Sequence, residues 1–266
     1  MISLKDKIVW ITGASSGIGE ALAKEFAKNE SSLILSARNK ESLEAVKSSI
    51  LDQYNVNVEV LVLDLLKADE LTTKSKEALE IFGKIDILVH SGGISQRSMV
   101  LDTAITIDRR IMEINFFGAV ALTKAILPSM IENGFGHIVS ISSLTGKFGS
   151  PYRSGYAASK HALHGFFDSL RAETYKKNIF VTLVTPGFIR TNISLNAVTE
   201  TGEALNQMDD AQEKGMSAEL CARIIVKGVA KGKNELLIGG RETIGVYIKR
   251  FFPNWFARII RKVKVR

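Results

Sequence analysis

The sequence has little of several features that mark other classes of protein. Its 266 residues include one cysteine and four prolines, and neither a low-complexity tract nor an internal repeat interrupts them. A single cysteine cannot form a disulfide framework, and Cys221 lies in an apolar helical pattern typical of a small buried side chain. Without a linker, and with 45% hydrophobic residues, the chain is expected to form one large α/β domain.

Signals for membrane translocation and for metal binding are also missing from the sequence pattern. The N-terminal residues enter a predicted strand directly, without a signal peptide or a span of about 20 apolar residues. We therefore expect a cytoplasmic protein. No group of cysteine, histidine and carboxylate residues has the spacing of a metal centre, so we expect no metal.

The net charge of +7 comes from the C-terminal end of the chain. Residues 249–266 hold seven basic and no acidic residues, and without them 28 basic residues face 28 acidic ones. Interleaved aromatic and aliphatic residues make 249–266 a predicted basic amphipathic tail, which could lie on an anionic membrane, pack on another subunit or cover a pocket of its own subunit. Nucleic acid is not expected, because no nucleic-acid motif accompanies the charge.

Apolar runs rich in β-branched residues alternate with helical patterns along the chain. This alternation predicts a doubly wound parallel sheet with helices on both faces. The predicted strands are Lys7 to Ile11, Ser32 to Ala37, Val56 to Leu63, Ile85 to Val89, His137 to Ile141, Ile179 to Thr185 and Glu235 to Ile238.

A glycine-rich segment, Thr12 to Gly19, follows the first predicted strand and opens a predicted helix. Glycines permit a tight turn and let backbone N–H groups approach a pyrophosphate at the positive end of the helix dipole. The spacing is Gly-x-x-x-Gly-x-Gly, which differs from the generic dinucleotide fingerprint. A dinucleotide site and a turn that merely packs helix on strand both fit this segment alone.

Tyr156 and Lys160 are four residues apart in a predicted helix, which puts a phenol and an amine on the same face. A cation near a phenol favours the phenolate and brings its pKa closer to the range used in proton transfer. Such a pair is often a coincidence of the surface. Its meaning depends on the rest of the chain.

Together these motifs resemble the short-chain dehydrogenases/reductases, whose signatures are Thr-Gly-x-x-x-Gly-x-Gly and Tyr-x-x-x-Lys. The resemblance covers nearly the whole chain and includes Asp64-Leu65, Asn115, Ser143, Pro186-Gly187 and Thr191. Within the family, the chain is similar to the dehydrogenase/reductase member 7 group, which is related to 11β-hydroxysteroid dehydrogenases. One departure is His90-Ser91-Gly92-Gly93, which stands where the family usually has Asn-Asn-Ala-Gly.

The resemblance implies a single-domain Rossmann fold over 1–248, with seven strands in the order 3-2-1-4-5-6-7 and a substrate lid at 192–217. It also implies that Ser143 binds a substrate carbonyl, that Tyr156 is the general acid/base, and that Lys160 tunes Tyr156 and binds the nicotinamide ribose. Asn115 is expected to hold a water linked to Lys160. A homodimer or homotetramer is implied as well.

In dinucleotide sites, the residue at the end of the second strand contacts the adenosine ribose of the cofactor. An acidic residue there binds the 2′-hydroxyl of NAD, whereas an arginine binds the 2′-phosphate of NADP. Arg38 lies there, so we expect NADP(H). The expected reaction is hydride transfer to or from an apolar ketone or secondary alcohol, such as a steroid, retinoid or lipid carbonyl. The alternative is a catalytically silent regulatory or lipid-surface protein. The expected cofactor-binding residues are Gly13, Ser15, Ser16, Gly17, Ile18, Gly19, Arg38, Asp64, Leu65, Gly92, Tyr156, Lys160, Pro186, Gly187 and Thr191.

Overall fold

The structure, a computed structural model, describes residues 1–263 of the chain and is built on a parallel sheet. Its strands are β1 (Ile8–Thr12), β2 (Ser32–Ser36), β3 (Val58–Val60), β4 (Ile87–His90), β5 (Gly136–Ile141), β6 (Ile179–Pro186), β7 (Ile189–Arg190), β8 (Met216–Ser217) and β9 (Glu235–Ile238). Seven of them form one sheet in the order β3-β2-β1-β4-β5-β6-β9, while β7 and β8 pair separately. The predicted order is confirmed, with β9 as the seventh strand of the main sheet.

Helices cover both faces of this sheet. They are α1 (Gly17–Lys28), α2 (Lys40–Leu51), α3 (Ala68–Phe82), α4 (Ile105–Met112), α5 (Gly118–Glu132), α6 (Ser154–Thr174), α7 (Asp210–Glu213), α8 (Ala218–Ala230), α9 (Ile244–Phe251) and α10 (Pro253–Ile260). A π-helical segment at Glu113–Phe117 joins α4 to α5. The doubly wound α/β class is therefore confirmed.

Alternate side chains of each strand enter two separate cores. Val9 and Ile11 belong to the core beneath α1, α2 and α8, whereas Ile8 and Trp10 belong to the core beneath α3, α5 and α6. This alternation follows from the period of two along a strand. Parallel strands buried on both faces read as continuous apolar runs, which is why the sequence pattern finds them.

The stretch Ile105–Glu132 is long and apolar enough to cross a membrane by length and composition. In the structure, however, Leu122, Ile126 and Met130 of α5 are fully buried among residues of the α3–α5–α6 core. The apolar composition of this stretch thus serves the interior of the domain.

One strand differs from its predicted bounds by more than two residues. The third strand was predicted as Val56 to Leu63, but its ladder covers only Val58–Val60, with further bonds from the N–H groups of Leu61 and Leu63 to β2 and its end. At the C-terminus, helix begins at Ile244, upstream of the predicted tail boundary at 249. The basic residues Lys264 and Arg266 of that tail lie outside the described residues.

Candidate active site

A cavity of about 1300 Å³ lies at the carboxyl ends of the strands, where open α/β sheets bind their ligands. The loops after β1, β2, β4, β5 and β6 meet there, and α9 and α10 form part of its wall. With the exception of Asn115, every predicted site residue lines this cavity. These residues are Gly13, Ser15, Ser16, Gly17, Ile18, Gly19, Arg38, Asp64, Leu65, Gly92, Ser143, Tyr156, Lys160, Pro186, Gly187 and Thr191.

The glycine-rich turn brings backbone close to backbone. Gly13 has a φ of +69°, and a Cβ there would lie 2.7 Å from the Cα of Gly92. A Cβ on Gly19 would overlap the carbonyl oxygen of Gly13. Helix α1 begins after Ser16, whose side chain makes no capping bond, so the N–H groups of its first turn remain available to an anion. This cradle fits the pyrophosphate of a dinucleotide.

The residues at the ends of β2 and β3 suit the adenosine part of the same ligand. The side chain of Arg38 lines the cavity and forms no ion pair with any of residues 1–263. A guanidinium in that position can form a bidentate contact with phosphate. Asp64 Oδ1 accepts a hydrogen bond from the backbone N–H of Leu66 at 3.0 Å, which fixes the carboxylate at the cavity edge.

Tyr156 and Lys160 lie one turn apart on α6, and both are buried. The Lys160 ammonium lies 5.6 Å from the centroid of the Tyr156 ring and donates to the carbonyl oxygen of Ile141 at 2.8 Å. Burial lowers the pKa of Lys160 to about 8, which keeps it mostly protonated at neutral pH. The i to i+4 spacing therefore brings the two groups together as predicted.

The two adjacent serines after β5 have different partners. Ser142 Oγ donates to the carbonyl oxygen of Lys160 at 3.2 Å, so it holds α6 to the end of β5. Burial raises the pKa of the Tyr156 phenol, and a hydrogen bond with the Ser143 hydroxyl is among the effects that oppose this rise. Ser143 is thus the serine that faces the phenol.

A buried ion-pair cluster beside Tyr156 was not predicted from the sequence. Both Arg97 and Arg153 pair with the carboxylate of Asp209, at 3.1 Å for Arg153. Arg97 is 1% exposed and also donates to the carbonyl oxygen of Gln96. Two guanidinium groups share one carboxylate, and the positive charges of Arg153 and Arg97 lower the pKa of Tyr156 against the effect of burial.

Asp209 belongs to the segment 192–217 that was predicted as the lid. The ion pairs therefore join this segment to the loop after β4 and to the start of α6. Val198 adds a backbone contact, since it pairs with Gln96 in an isolated β-bridge. No local sequence pattern indicates this pairing, because Arg97 and Asp209 are 112 residues apart.

Gln96 caps the helix that carries Tyr156. Its Oε1 accepts from the backbone N–H of Gly155 at 2.8 Å and of Tyr156 at 3.2 Å, while its Nε2 donates to Ser98 and Thr103. Gln96 is fully buried. A long side chain from another loop thus satisfies N–H groups that would be left free at the start of α6.

Asn115 lies in the π-helical segment, behind the cavity wall. Its amide accepts from the backbone N–H of Ile94 at 2.8 Å and donates to the carbonyl oxygen of Ile94 at 2.9 Å. A third bond runs from Nδ2 to Ser159 Oγ at 3.0 Å. Asn115 therefore ties the loop after β4 to α6, and its role in holding a water stays a prediction.

The structure shows what His90 does at the position where the family usually has asparagine. The Nε2 atom of His90 is 2.8 Å from Thr123 Oγ1 on α5, and burial lowers the pKa of the imidazole to about 3. A neutral histidine thus joins β4 to α5. At the end of the neighbouring strand β1, Thr12 Oγ1 accepts from the N–H of Gly92 at 3.3 Å and supports the turn after β4.

Comparisons with known proteins agree with this architecture. A family model described as short chain dehydrogenase matches residues 7–202. The chain is 46% identical over 264 residues to a dehydrogenase/reductase SDR family protein 7-like protein from Anopheles gambiae, with 97% of this chain and 83% of that protein covered. Among solved structures, a short chain dehydrogenase/reductase from Burkholderia phymatum in complex with NAD has a TM-score of 0.85 at 20% identity, covering 96% of both chains. A short-chain dehydrogenase from Sphingobium yanoikuyae in complex with NADPH has a TM-score of 0.78 at 26% identity, covering 97% of this chain and 96% of that one.

The cap made by Gln96 leads to a testable prediction. Replacing Gln96 with Leu leaves two buried N–H groups without an acceptor, and we expect it to lower the free energy of unfolding by about 1–3 kcal/mol. Gln96→Glu keeps the acceptor oxygen but replaces the donating amide with a buried carboxylate, so it should also lower the free energy of unfolding. Urea-induced unfolding measures both, with the exposed Gln53→Leu as the matched control. A Gln96→Leu protein as stable as the wild type would show that the cap contributes nothing.

Proposed function

Because this chain belongs to the short-chain dehydrogenase/reductase family of oxidoreductases, we propose that it is an NADP(H)-dependent enzyme acting on an apolar ketone or secondary alcohol. The observation that carries the proposal is the arrangement of Ser143, Tyr156 and Lys160 on the wall of the same cavity as the glycine cradle. A cofactor-binding scaffold would not require a phenol placed between a hydroxyl and buried cations.

Each residue of the candidate site has a separate role in the proposed reaction. When bound, the nicotinamide cofactor supplies or accepts the hydride. Ser143 Oγ orients the substrate oxygen, and the Tyr156 phenol donates its proton to that oxygen during reduction. The positive charges of Lys160, Arg153 and Arg97 favour the phenolate that remains. In the direction of oxidation the same phenolate accepts the proton from the alcohol.

Apolar side chains support the proposed class of substrate. Phe148, Phe188 and Ile193 line the cavity from the segments after β5, β6 and β7, respectively. Phe256 and Ile260 line it from α10. Such a wall favours an apolar body, while the hydroxyl of Ser143 and the phenol of Tyr156 orient one oxygen atom. Steroid, retinoid and lipid carbonyls have this combination.

A substrate panel tests the reaction. We expect the wild type to oxidise NADPH, followed by the loss of its absorbance, with at least one steroid, retinoid or lipid carbonyl, and the Tyr156→Phe variant to lose this turnover because it has no proton to donate. Tyr175→Phe removes a hydroxyl from an exposed tyrosine and should leave turnover unchanged. Tight NADPH binding without turnover across the whole panel would favour a regulatory protein instead.

The choice of cofactor is tested at Arg38. Removing its guanidinium in Arg38→Ala should weaken NADPH binding by about 10- to 150-fold, as expected for the loss of about 1.5–3 kcal/mol in charge-assisted hydrogen bonds. Binding of NADH, which has no 2′-phosphate, should change little. Titration of the cofactor's fluorescence measures both, with the exposed Arg223→Ala as control. An equal loss for NADPH and NADH would contradict the assignment of Arg38 to the 2′-phosphate.

A further inference from the structure

The C-terminal helices α9 and α10 have an inner face on the cavity. Ile248 of α9 and Phe256 and Ile260 of α10 line the cavity. Phe256 is buried, and its ring centroid lies 4.9 Å from that of Phe148. The interpretation of the tail as a cover for its own pocket thus has direct support in the structure.

The same helices have a second apolar face that nothing in residues 1–263 covers. We define this outer face by Tyr247, Phe251, Phe252 and Trp255, which are 58%, 68%, 62% and 55% exposed. Tyr247 and Phe251 are one turn apart on α9, and the rings of Phe252 and Trp255 are 6.5 Å apart. Large aromatic side chains exposed together mark an interaction surface.

Positive charge accompanies the outer face. The side chains of Lys249, Arg250, Arg258, Arg261 and Lys262 are all exposed, and none forms an ion pair within the described part of the chain. No acidic residue occurs between Ile244 and Val263. The charged side chains that α9 and α10 themselves add to the outer face are therefore all positive, and the neighbouring carboxylate of Glu235 pairs with Lys147 at 2.8 Å.

We propose that the outer face docks on the surface of an anionic lipid bilayer. Aromatic side chains enter the region of the lipid headgroups, and lysine and arginine are attracted to anionic lipids. A second copy of the chain is a poorer partner, because a symmetric contact through this face would bring two sets of five cations together. Docking places the wall of the substrate cavity against the bilayer, but it does not depend on the proposed reaction.

The two tryptophans of the chain allow a direct test. Trp10 is fully buried and Trp255 is exposed. We expect the full-length protein to float with phosphatidylcholine vesicles that contain phosphatidylserine, and its fluorescence to shift to shorter wavelength as Trp255 leaves water. Added salt should weaken binding. The Trp255→Phe variant should still float, but without the shift.

Variants of the outer face separate docking from other effects. Combining Phe251→Ser, Phe252→Ser and Trp255→Ser should abolish flotation, whereas Tyr175→Ser, which removes an equally exposed aromatic residue from the far end of α6, should not. Combining Lys249→Gln and Arg250→Gln should lower the partition coefficient by about 30-fold. Urea-induced unfolding confirms that each variant is folded.

Three results would overturn the proposal. They are equal flotation of the wild type and the triple serine variant, equal binding to vesicles with and without phosphatidylserine, and a fluorescence shift that persists in Trp255→Phe. Light scattering tests whether a second copy of the chain, instead of a bilayer, binds the outer face. A wild-type dimer that becomes a monomer in the triple variant, without vesicle binding by either, would assign the outer face to contacts between copies of this chain.

Discussion

Burial of three cationic side chains around one phenol is the constraint on which the candidate site depends. Lys160, Arg97 and Arg153 approach Tyr156 from α6, from the loop after β4 and from the turn before α6, and little of any of them reaches solvent. A buried cation without a partner costs several kcal/mol. The carbonyl oxygen of Ile141 offsets part of this cost for Lys160, and the carboxylate of Asp209 does so for both arginines.

These partners come from distant parts of the sequence, and the parallel sheet is what brings them together. Ile141 ends β5, Arg97 follows β4, and Asp209 lies in the segment after β6. Each lies at or beyond the carboxyl end of a strand, which is the edge of the sheet where the cavity lies. The segment 192–217 is consequently attached through charge as well as through backbone pairing. A change in its position would alter the electrostatic environment of Tyr156.

Local patterns in the sequence predicted the parts of the site that are local in structure. The glycine turn, the strand ends at Arg38 and Asp64, and the facing pair on α6 follow from periodicity and spacing. The Arg97–Asp209 ion pair and the Gln96 cap could not be predicted in this way, because each joins residues that are far apart in the sequence and have no periodic relation. The tail was predicted as amphipathic, with three interpretations open. Its two faces could be separated only once α9 and α10 were seen against the cavity.

The pH dependence of alcohol oxidation tests most directly whether the buried cations set the proton affinity of Tyr156. In the proposed mechanism the phenolate is the active form in this direction, so the rate should rise as pH passes the pKa of Tyr156. Arg153→Met removes a cation that lowers this pKa, and its profile should move to higher pH, whereas Arg153→Lys keeps the charge and should remain near the wild type. Profiles that coincide in all three proteins would contradict the account.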